Sequence, residues 1–170
     1  DRETRELRWE RETAAAFGAP PSIVDGVVYA GTNGNYNSEA PPTEVAALNP
    51  GDGTALWEQT RSSERSVEYS PTVVGDDLLL ESDRSLERIG RDDGSTVWSH
   101  SSSERITTPV DVREDTAYFA TRAGELVALG LPDADVRWQG STGAAVSTLT
   151  VTDSSLYCIR ESTLLRFAFQ

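Results

Sequence analysis

The chain has 170 residues and a formal net charge of −13, and all fifteen of its basic residues are arginines. This balance excludes a nucleic-acid-binding protein, because phosphate recognition needs clustered arginine and lysine. No segment approaches the roughly eighteen consecutive apolar residues of a transmembrane helix, and the single cysteine, Cys158, excludes an intrachain disulfide.

The acidic surplus also predicts the environment in which the protein works. Twenty-eight acidic residues stand against fifteen arginines, and the chain has no lysine. A surface of this kind stays hydrated but repels itself unless salt screens it. The composition is therefore typical of a protein from an extreme halophile. The alternative is an ordinary acidic protein encoded by GC-rich DNA.

Short β-rich runs separated by Gly, Asp, Asn and Pro clusters predict strands joined by tight turns along the whole chain. The first predicted element is an isolated strand at 5–12, around Trp9. Similar units follow, each beginning near a proline or threonine and recurring about every 40 residues, which is the length of one four-stranded propeller blade. The predicted blades are 20–60, 70–100, 108–140 and 147–170. The predicted fold is therefore all-β, a β-propeller of four-stranded antiparallel blades of which about four are present.

Within these units, equivalent residues are expected at the same place in successive blades. The second strands are predicted to align one residue from each blade, and that row is Tyr29, Leu80, Tyr118 and Tyr157. The last strand of a unit follows a turn such as Asp-Gly, in which glycine supplies the positive φ of a tight hairpin, and it carries a tryptophan. A large apolar side chain at one fixed position is suited to packing neighbouring sheets together, and stacking on a ligand is the alternative. The predicted docking residues are Trp9, Gly53, Trp57, Gly94, Trp98 and Trp138.

These motifs resemble those of a known family. The runs 47–57 and 88–98 look like the tryptophan-docking motif of pyrrolo-quinoline quinone (PQQ) repeat β-propellers, and 129–138 is a weaker copy because Ala134 replaces glycine. That family includes quinone-dependent alcohol and glucose dehydrogenases, and a non-catalytic lipoprotein of the outer-membrane β-barrel assembly machinery. The resemblance covers almost the whole chain, but it is specific for fold rather than for function, because the motif holds blades together.

The resemblance implies a ring of seven or eight blades, of which this chain would supply a part. The alternative is a closed four-bladed ring, in which the strand at 5–12 completes the last blade. Because the chain contains no methionine, we favour the partial propeller. The resemblance also implies an exported or lipid-anchored, cell-surface protein, although a cytoplasmic location stays open.

Candidate catalytic residues are scarce, and the sequence predicts none. Quinoprotein dehydrogenases resemble this chain in fold but hold PQQ with adjacent cysteines, a stacking tryptophan and calcium. Cys158 is a lone cysteine in a predicted strand and is expected to be a buried thiol. His100 lies in a serine-rich segment, and acidic pairs such as Asp92-Asp93 fall in predicted turns, where solvated carboxylates are ordinary. No cofactor or metal site is predicted.

One irregularity marks a candidate interaction loop. The first blade carries an extra segment between its middle strands, and insertions on one face of a repeat protein often build its binding surface. The candidate contact residues are Asn35, Tyr36 and Asn37. The alternative is a tolerated insertion with no role.

Two functions remain open on the sequence. The first, which we favour, is a non-catalytic propeller scaffold that binds a protein or another surface partner through its loops. The second is part of a PQQ- and calcium-dependent alcohol or sugar dehydrogenase, whose cofactor residues would lie outside this chain.

Overall fold

The computed structural model describes residues 6–33, 42–61 and 67–169. This part of the chain is all-β and contains strands in four antiparallel sheets, with no helix. The first sheet consists of β1 (Ala16–Phe17), β2 (Ser22–Val24), β3 (Val27–Asn33), β4 (Thr43–Leu48) and β5 (Ala55–Arg61). The second consists of β6 (Thr72–Val74), β7 (Asp77–Ser82), β8 (Ser85–Gly90) and β9 (Thr96–Ser101).

The remaining two sheets repeat the same meander. The third consists of β10 (Asp111–Arg113), β11 (Thr116–Ala120), β12 (Glu125–Gly130) and β13 (Val136–Ser141). The fourth consists of β14 (Thr148–Val151), β15 (Ser155–Arg160) and β16 (Thr163–Ala168). These sheets are the blades of a β-propeller, so the predicted fold class is confirmed.

Burial shows how the blades pack. In the second blade, the middle strands β7 and β8 are largely buried, whereas the outermost strand β9 is mostly exposed. Strands buried on both faces require a neighbouring sheet on each side. One apolar cluster, including Tyr29 and Leu78, joins the first and second blades, and another, including Leu79 and Phe119, joins the second and third. A third cluster, including Ala120 and Leu156, joins the third and fourth.

The segment at the N-terminus differs from the prediction. Residue 5 lies outside the described residues, and residues 6–13 form no strand; the first strand is β1. Residues 6–13 pair with no strand among the described residues. Side chains tether it instead, since Trp9 donates to the carbonyl of Pro50 and Arg11 pairs with Glu58 at 2.6 Å.

The four described blades do not form a closed ring. The main contacts between strands of different blades join neighbours along the chain, as between β2 and β6 or between β10 and β14. None of these main contacts joins the first blade to the fourth. The alternative of a ring completed by a strand at 5–12 is therefore wrong for this structure.

The pairing register corrects the predicted row of equivalent residues. Tyr29 faces Ala47, which faces Trp57. In the second blade the same row holds Leu79, opposite Arg88, rather than Leu80. The shift arises because the hairpin of the first blade reads Asp25-Gly26, whereas that of the second reads Gly75-Asp76. Aligning Asp25 with Asp76 therefore shifts the predicted residue of the second blade by one position, from Leu79 to Leu80.

Candidate interaction site

Three tryptophans make the same hydrogen bond to a blade that follows them in the chain. Trp57 and Trp98 do so across junctions between blades, and Trp9 does so from the N-terminal segment onto the first blade. The indole N–H of Trp9 donates to the carbonyl of Pro50 at 2.8 Å, that of Trp57 to Arg91 at 2.5 Å and that of Trp98 to Leu131 at 2.7 Å. Each acceptor belongs to the turn before the last strand of the next blade. A buried indole N–H needs such an acceptor, so these rings are held by protein on both their apolar and polar sides.

Glycine in two of these turns has both a conformational and a steric reason. Gly53 has φ of 73° and Gly94 has φ of 70°, in the left-handed region that side chains rarely adopt. A Cβ on Gly53 would lie 2.6 Å from the Trp9 ring, and a Cβ on Gly94 would lie 2.7 Å from the Trp57 ring. The indole therefore rests on the bare backbone of the glycine. The third turn has Ala134 at φ of 60°.

Trp138 has different surroundings. It borders a cavity of about 570 Å³ between the third and fourth blades and meets Phe167 edge to face, with ring centroids 6.0 Å apart. Tyr118 and Phe169 stack beside it at 5.8 Å. Among the described residues its indole N–H has no hydrogen-bond acceptor. Aromatic packing is therefore what fixes this ring.

Cys158 and His100, the lone cysteine and the lone histidine of the sequence, lie in different blades. Cys158 is buried in β15, and burial raises the pKa of its thiol, which disfavours the reactive thiolate. Burial lowers the pKa of His100, whose ring lies edge-on to Phe119 at 6.1 Å. Across the described ranges, no three His, Cys, Asp or Glu side chains are grouped so that they could hold a metal ion.

The antiparallel meander gives the blades two distinct ends. We call one the turn end; it contains the turns at 25–26, 49–54, 75–76, 91–95, 114–115, 131–135 and 152–154. We call the other the connector end; its described parts are the hairpins at 83–84, 121–124 and 161–162 and the links between blades at 67–71, 102–110 and 142–147. The candidate loop residues Asn35, Tyr36 and Asn37 lie outside the described residues, between β3 and β4 in the sequence.

Carboxylates at the turn end serve the turns themselves. The backbone N–H and the hydroxyl of Thr54 bond to Asp52 and lower its pKa, and the N–H of Ser95 does the same for Asp93. The Arg137 guanidinium, paired with Asp115, lowers the pKa of that carboxyl. These acids are ionised turn caps, which is the structural role expected of Asp at such positions.

Ion pairs also cross between blades at the turn end. Arg91 of the second blade pairs with Asp25 of the first at 3.0 Å, and Arg113 of the third pairs with Asp153 of the fourth. Such exposed pairs contribute little stability individually. They do give Arg91 and Arg113 partners within the chain.

The connector end carries a groove of about 520 Å³ between links and hairpins of the second to fourth blades. Its lining includes Tyr69, Arg105, Thr107, Arg122 and Val146. The Arg105 guanidinium lies 2.6 Å from Glu68 and 3.5 Å from Asp83. The backbone N–H of Arg122 donates to the carbonyl of Arg105 at 2.7 Å, which fixes the hairpin against the link.

A buried carboxyl belongs to the same end of the second blade. Glu81, on β7, is 1% exposed, and one of its oxygens accepts the backbone N–H of Val110 at 2.6 Å. Its other oxygen is buried without a hydrogen-bond partner. Burial raises the pKa of Glu81 to about 7, although the bond from Val110 acts in the opposite direction. Glu81 therefore joins the second blade to the start of the third.

Comparison with known proteins identifies the family. The sequence matches the family model described as outer membrane protein assembly factor BamB, over residues 1–85 and again over 82–168. The chain belongs to the BamB family. The expected PQQ-type repeat is thereby confirmed. No curated protein matches the sequence.

Solved structures share the propeller fold. BamB from Moraxella catarrhalis superposes with a TM-score of 0.74 at 20% identity, over 95% of this chain and 49% of that one. This BamB-family chain therefore spans about half the length of that relative. The computationally designed Ika4 protein superposes with a TM-score of 0.76 at 11% identity, over 97% of this chain and 99% of that one. The computationally designed Ika8 protein superposes with a TM-score of 0.67 at 10% identity, over 91% of this chain and 46% of that one.

The described residues do not fit a PQQ site of the kind that the quinoprotein resemblance implies. Cys158 has no adjacent cysteine in the sequence. The indoles of Trp57 and Trp98 are packed in blade junctions, and each donates a hydrogen bond to a backbone carbonyl.

No helix of the described chain is long and apolar enough to cross a membrane.

Proposed function

We propose that this BamB-family chain is a non-catalytic propeller scaffold that binds a protein partner through its connector end. The observation that carries the proposal is the difference between the two ends of the blades. At the turn end, carboxylates cap turns and arginines are paired across blade junctions. Cavities lie at both ends, but the turn-end cavities border Arg91 and Arg137, which pair with Asp25 and Asp115. The connector-end groove instead borders an exposed arginine, Arg122, for which no side-chain partner is found among the described residues.

Rigid blades favour this role. The groove is lined by links from three blade boundaries, and backbone hydrogen bonds hold two of these links in place, as between Thr107 and Ala120 and between Ser147 and Ile159. A surface that is ordered before binding loses little conformational entropy when a partner arrives. The candidate contact residues Asn35, Tyr36 and Asn37 lie outside the described residues, between β3 and β4 in the sequence, and we retain them as proposed additional contacts.

The family supports a role among proteins rather than a reaction. Its description is that of an outer membrane protein assembly factor, and assembly of another protein requires contact with it. An exported or cell-surface location follows from the same resemblance. We propose no cofactor, and the PQQ- and calcium-dependent dehydrogenase gains no support from a lone buried cysteine or from tryptophans fixed in blade junctions.

Site-specific photo-crosslinking tests which end binds the partner. A benzophenone amino acid is placed at Ala123 on the connector end or at Asp92 on the turn end, both exposed positions. In cells that make the protein, we expect discrete crosslinked protein species from position 123 and none above background from position 92. The same species from both positions, or species from position 92 alone, would contradict binding through the connector end.

A further inference from the structure

Within residues 6–33, 42–61 and 67–169, Arg122 is the arginine whose side chain has no ion-pair or hydrogen-bond partner. Each of the others forms an ion pair or a hydrogen bond through its guanidinium, and they are Arg8, Arg11, Arg61, Arg84, Arg88, Arg91, Arg105, Arg113, Arg137, Arg160 and Arg166. The chain has 28 acidic residues for 15 arginines. An arginine without a partner is therefore unexpected here, and it borders the connector-end groove.

Three acids of the connector end are engaged with other groups. Glu68 and Asp83 both lie beside the Arg105 guanidinium. Glu125, on the strand after the Arg122 hairpin, accepts a hydrogen bond from the Ser103 hydroxyl at 3.3 Å. A guanidinium offers several N–H donors in a planar fork that matches a carboxylate. The Arg122 guanidinium can thus donate hydrogen bonds to a carboxylate of a partner molecule.

The backbone around Arg122 fixes where its side chain begins. Besides the bond from Arg122 to Arg105, the N–H of Thr121 donates to Glu125 and the N–H of Gly124 donates to Thr121, each at 2.9 Å. Gly124 has φ of 81°, and a Cβ there would clash with the carbonyl oxygen of Ala144, which lies 2.2 Å from the Cβ position. The hairpin is therefore held against the next link, and the arginine stands at the rim of an ordered groove.

The groove combines this charge with apolar and polar walls. Ile106 and Val146, each 1% exposed, close its floor, and the half-buried Tyr69 stands on its wall. A volume of about 520 Å³ accommodates a few residues of an extended peptide. A single unpartnered cation on a chain of net charge −13 is poorly suited to a nucleic acid, because phosphate backbones need clustered cations.

We propose that this groove binds an extended acidic segment of the partner protein, with a side-chain carboxylate of that segment on Arg122. The inference rests on the proposed function and adds the chemistry of the partner. The carboxylate forms a charge-assisted, bidentate pair with the guanidinium. The neighbouring side chains of the segment lie over Ile106 and Val146, and the Tyr69 hydroxyl donates to its backbone.

The test uses a fluorescein-labelled peptide of alternating Glu and Leu, titrated with the folded chain and followed by anisotropy. Arg122→Gln should weaken binding by about tenfold, because it removes one charge-assisted pair. Arg84→Gln is the matched control: it removes the same charge from the neighbouring hairpin, where Arg84 already contacts Asp83 and the Ser103 carbonyl. We expect Arg84→Gln to bind within about twofold of the unmodified protein. A peptide with Gln in place of Glu should bind about tenfold more weakly.

Three outcomes would overturn the inference. Equal losses for the two arginine variants would show a general charge effect, and equal affinity for the Gln peptide would show that no carboxylate is recognised. Free glutarate that displaces the probe at the same concentration as the unlabelled peptide would show a small-molecule site. Photo-crosslinking from position 123 separates the two proposals. If any of these outcomes occurs and crosslinks still form from position 123 in Arg122→Gln, the scaffold function is supported and carboxylate recognition by Arg122 is rejected.

Discussion

Arg91 of the second blade lies over the ring of Tyr29 in the first, with its guanidinium carbon 5.6 Å from the ring centroid. Its Nε also donates to the Tyr29 hydroxyl at 3.1 Å, and its backbone carbonyl accepts the indole N–H of Trp57 at 2.5 Å. Arg91 thus contacts the rings of Tyr29 and Trp57 in the preceding blade. Stability in this fold should accordingly reside in the junctions between blades.

Removal of a junction tryptophan should be costly. Trp98 packs against the cluster that joins the second and third blades and donates to Leu131. Trp98→Ala should lower the free energy of unfolding by about 3–5 kcal/mol, the usual effect of emptying a large core site. The neighbouring Val97 is 52% exposed, so Val97→Ala should change it by less than about 1 kcal/mol. Denaturant unfolding measures both, and a similar small loss for Trp98→Ala would show that the indole is not docked.

The glycine under the indole should matter for steric as well as conformational reasons. Gly94 and Gly75 both have positive φ, but only a Cβ on Gly94 would meet the Trp57 ring, because nothing lies within 4 Å of the Gly75 position. Gly75→Ala therefore measures the backbone effect alone. Gly94→Ala should destabilise by about 1–3 kcal/mol more than Gly75→Ala, as expected for overpacking. Equal unfolding midpoints for the two variants would contradict the close approach of Gly94 and Trp57.

Glu81 should make stability depend on pH. Its pKa is about 7 when folded and 4.5 as a reference, so the folded state holds a proton that the unfolded state has lost. The contribution of Glu81 is therefore fully present below about pH 4.5 and is lost as pH rises through 7. Glu81→Gln keeps an acceptor for Val110 and removes this titration. Between pH 4.5 and 8 the unmodified protein should lose about 1–3 kcal/mol more than the variant. Parallel stability curves would show that Glu81 titrates normally.

Salt should stabilise the fold. The net charge of −13 is self-repulsive when unscreened, and the Debye length falls from about 30 Å at 0.01 M to about 3 Å at 1 M salt. We expect dilution from molar potassium chloride into dilute buffer to reduce the β-sheet circular dichroism signal and the unfolding temperature. Identical spectra and melting curves in the two buffers would contradict the halophilic interpretation and favour an ordinary acidic protein.

The sequence predicts the blades well because their signals are local. Asp-Gly turns and the spacing of Trp57 and Trp98 are readable within one repeat. The row through Leu79 was missed because its hairpin inverts the order of glycine and aspartate. The burial of Glu81 could have been predicted, because it directly follows the apolar run of β7. Its hydrogen bond from Val110 could not, because Val110 belongs to the link before the third blade. Arg122 has no side-chain partner among the described residues, whereas Arg105 lies beside Glu68 and Asp83. No sequence spacing reveals which of the two arginines is paired.

The central claim, that these blades bind a partner without a cofactor, is tested most directly by titration with PQQ and calcium. Tryptophan fluorescence is followed in molar salt, with Trp57→Phe and Trp98→Phe as matched variants. Since both indoles are bonded within blade junctions, we predict no saturable quenching beyond the inner-filter effect of the quinone. Saturable, calcium-dependent quenching at micromolar PQQ would contradict the account and assign the chain to a quinone-dependent enzyme.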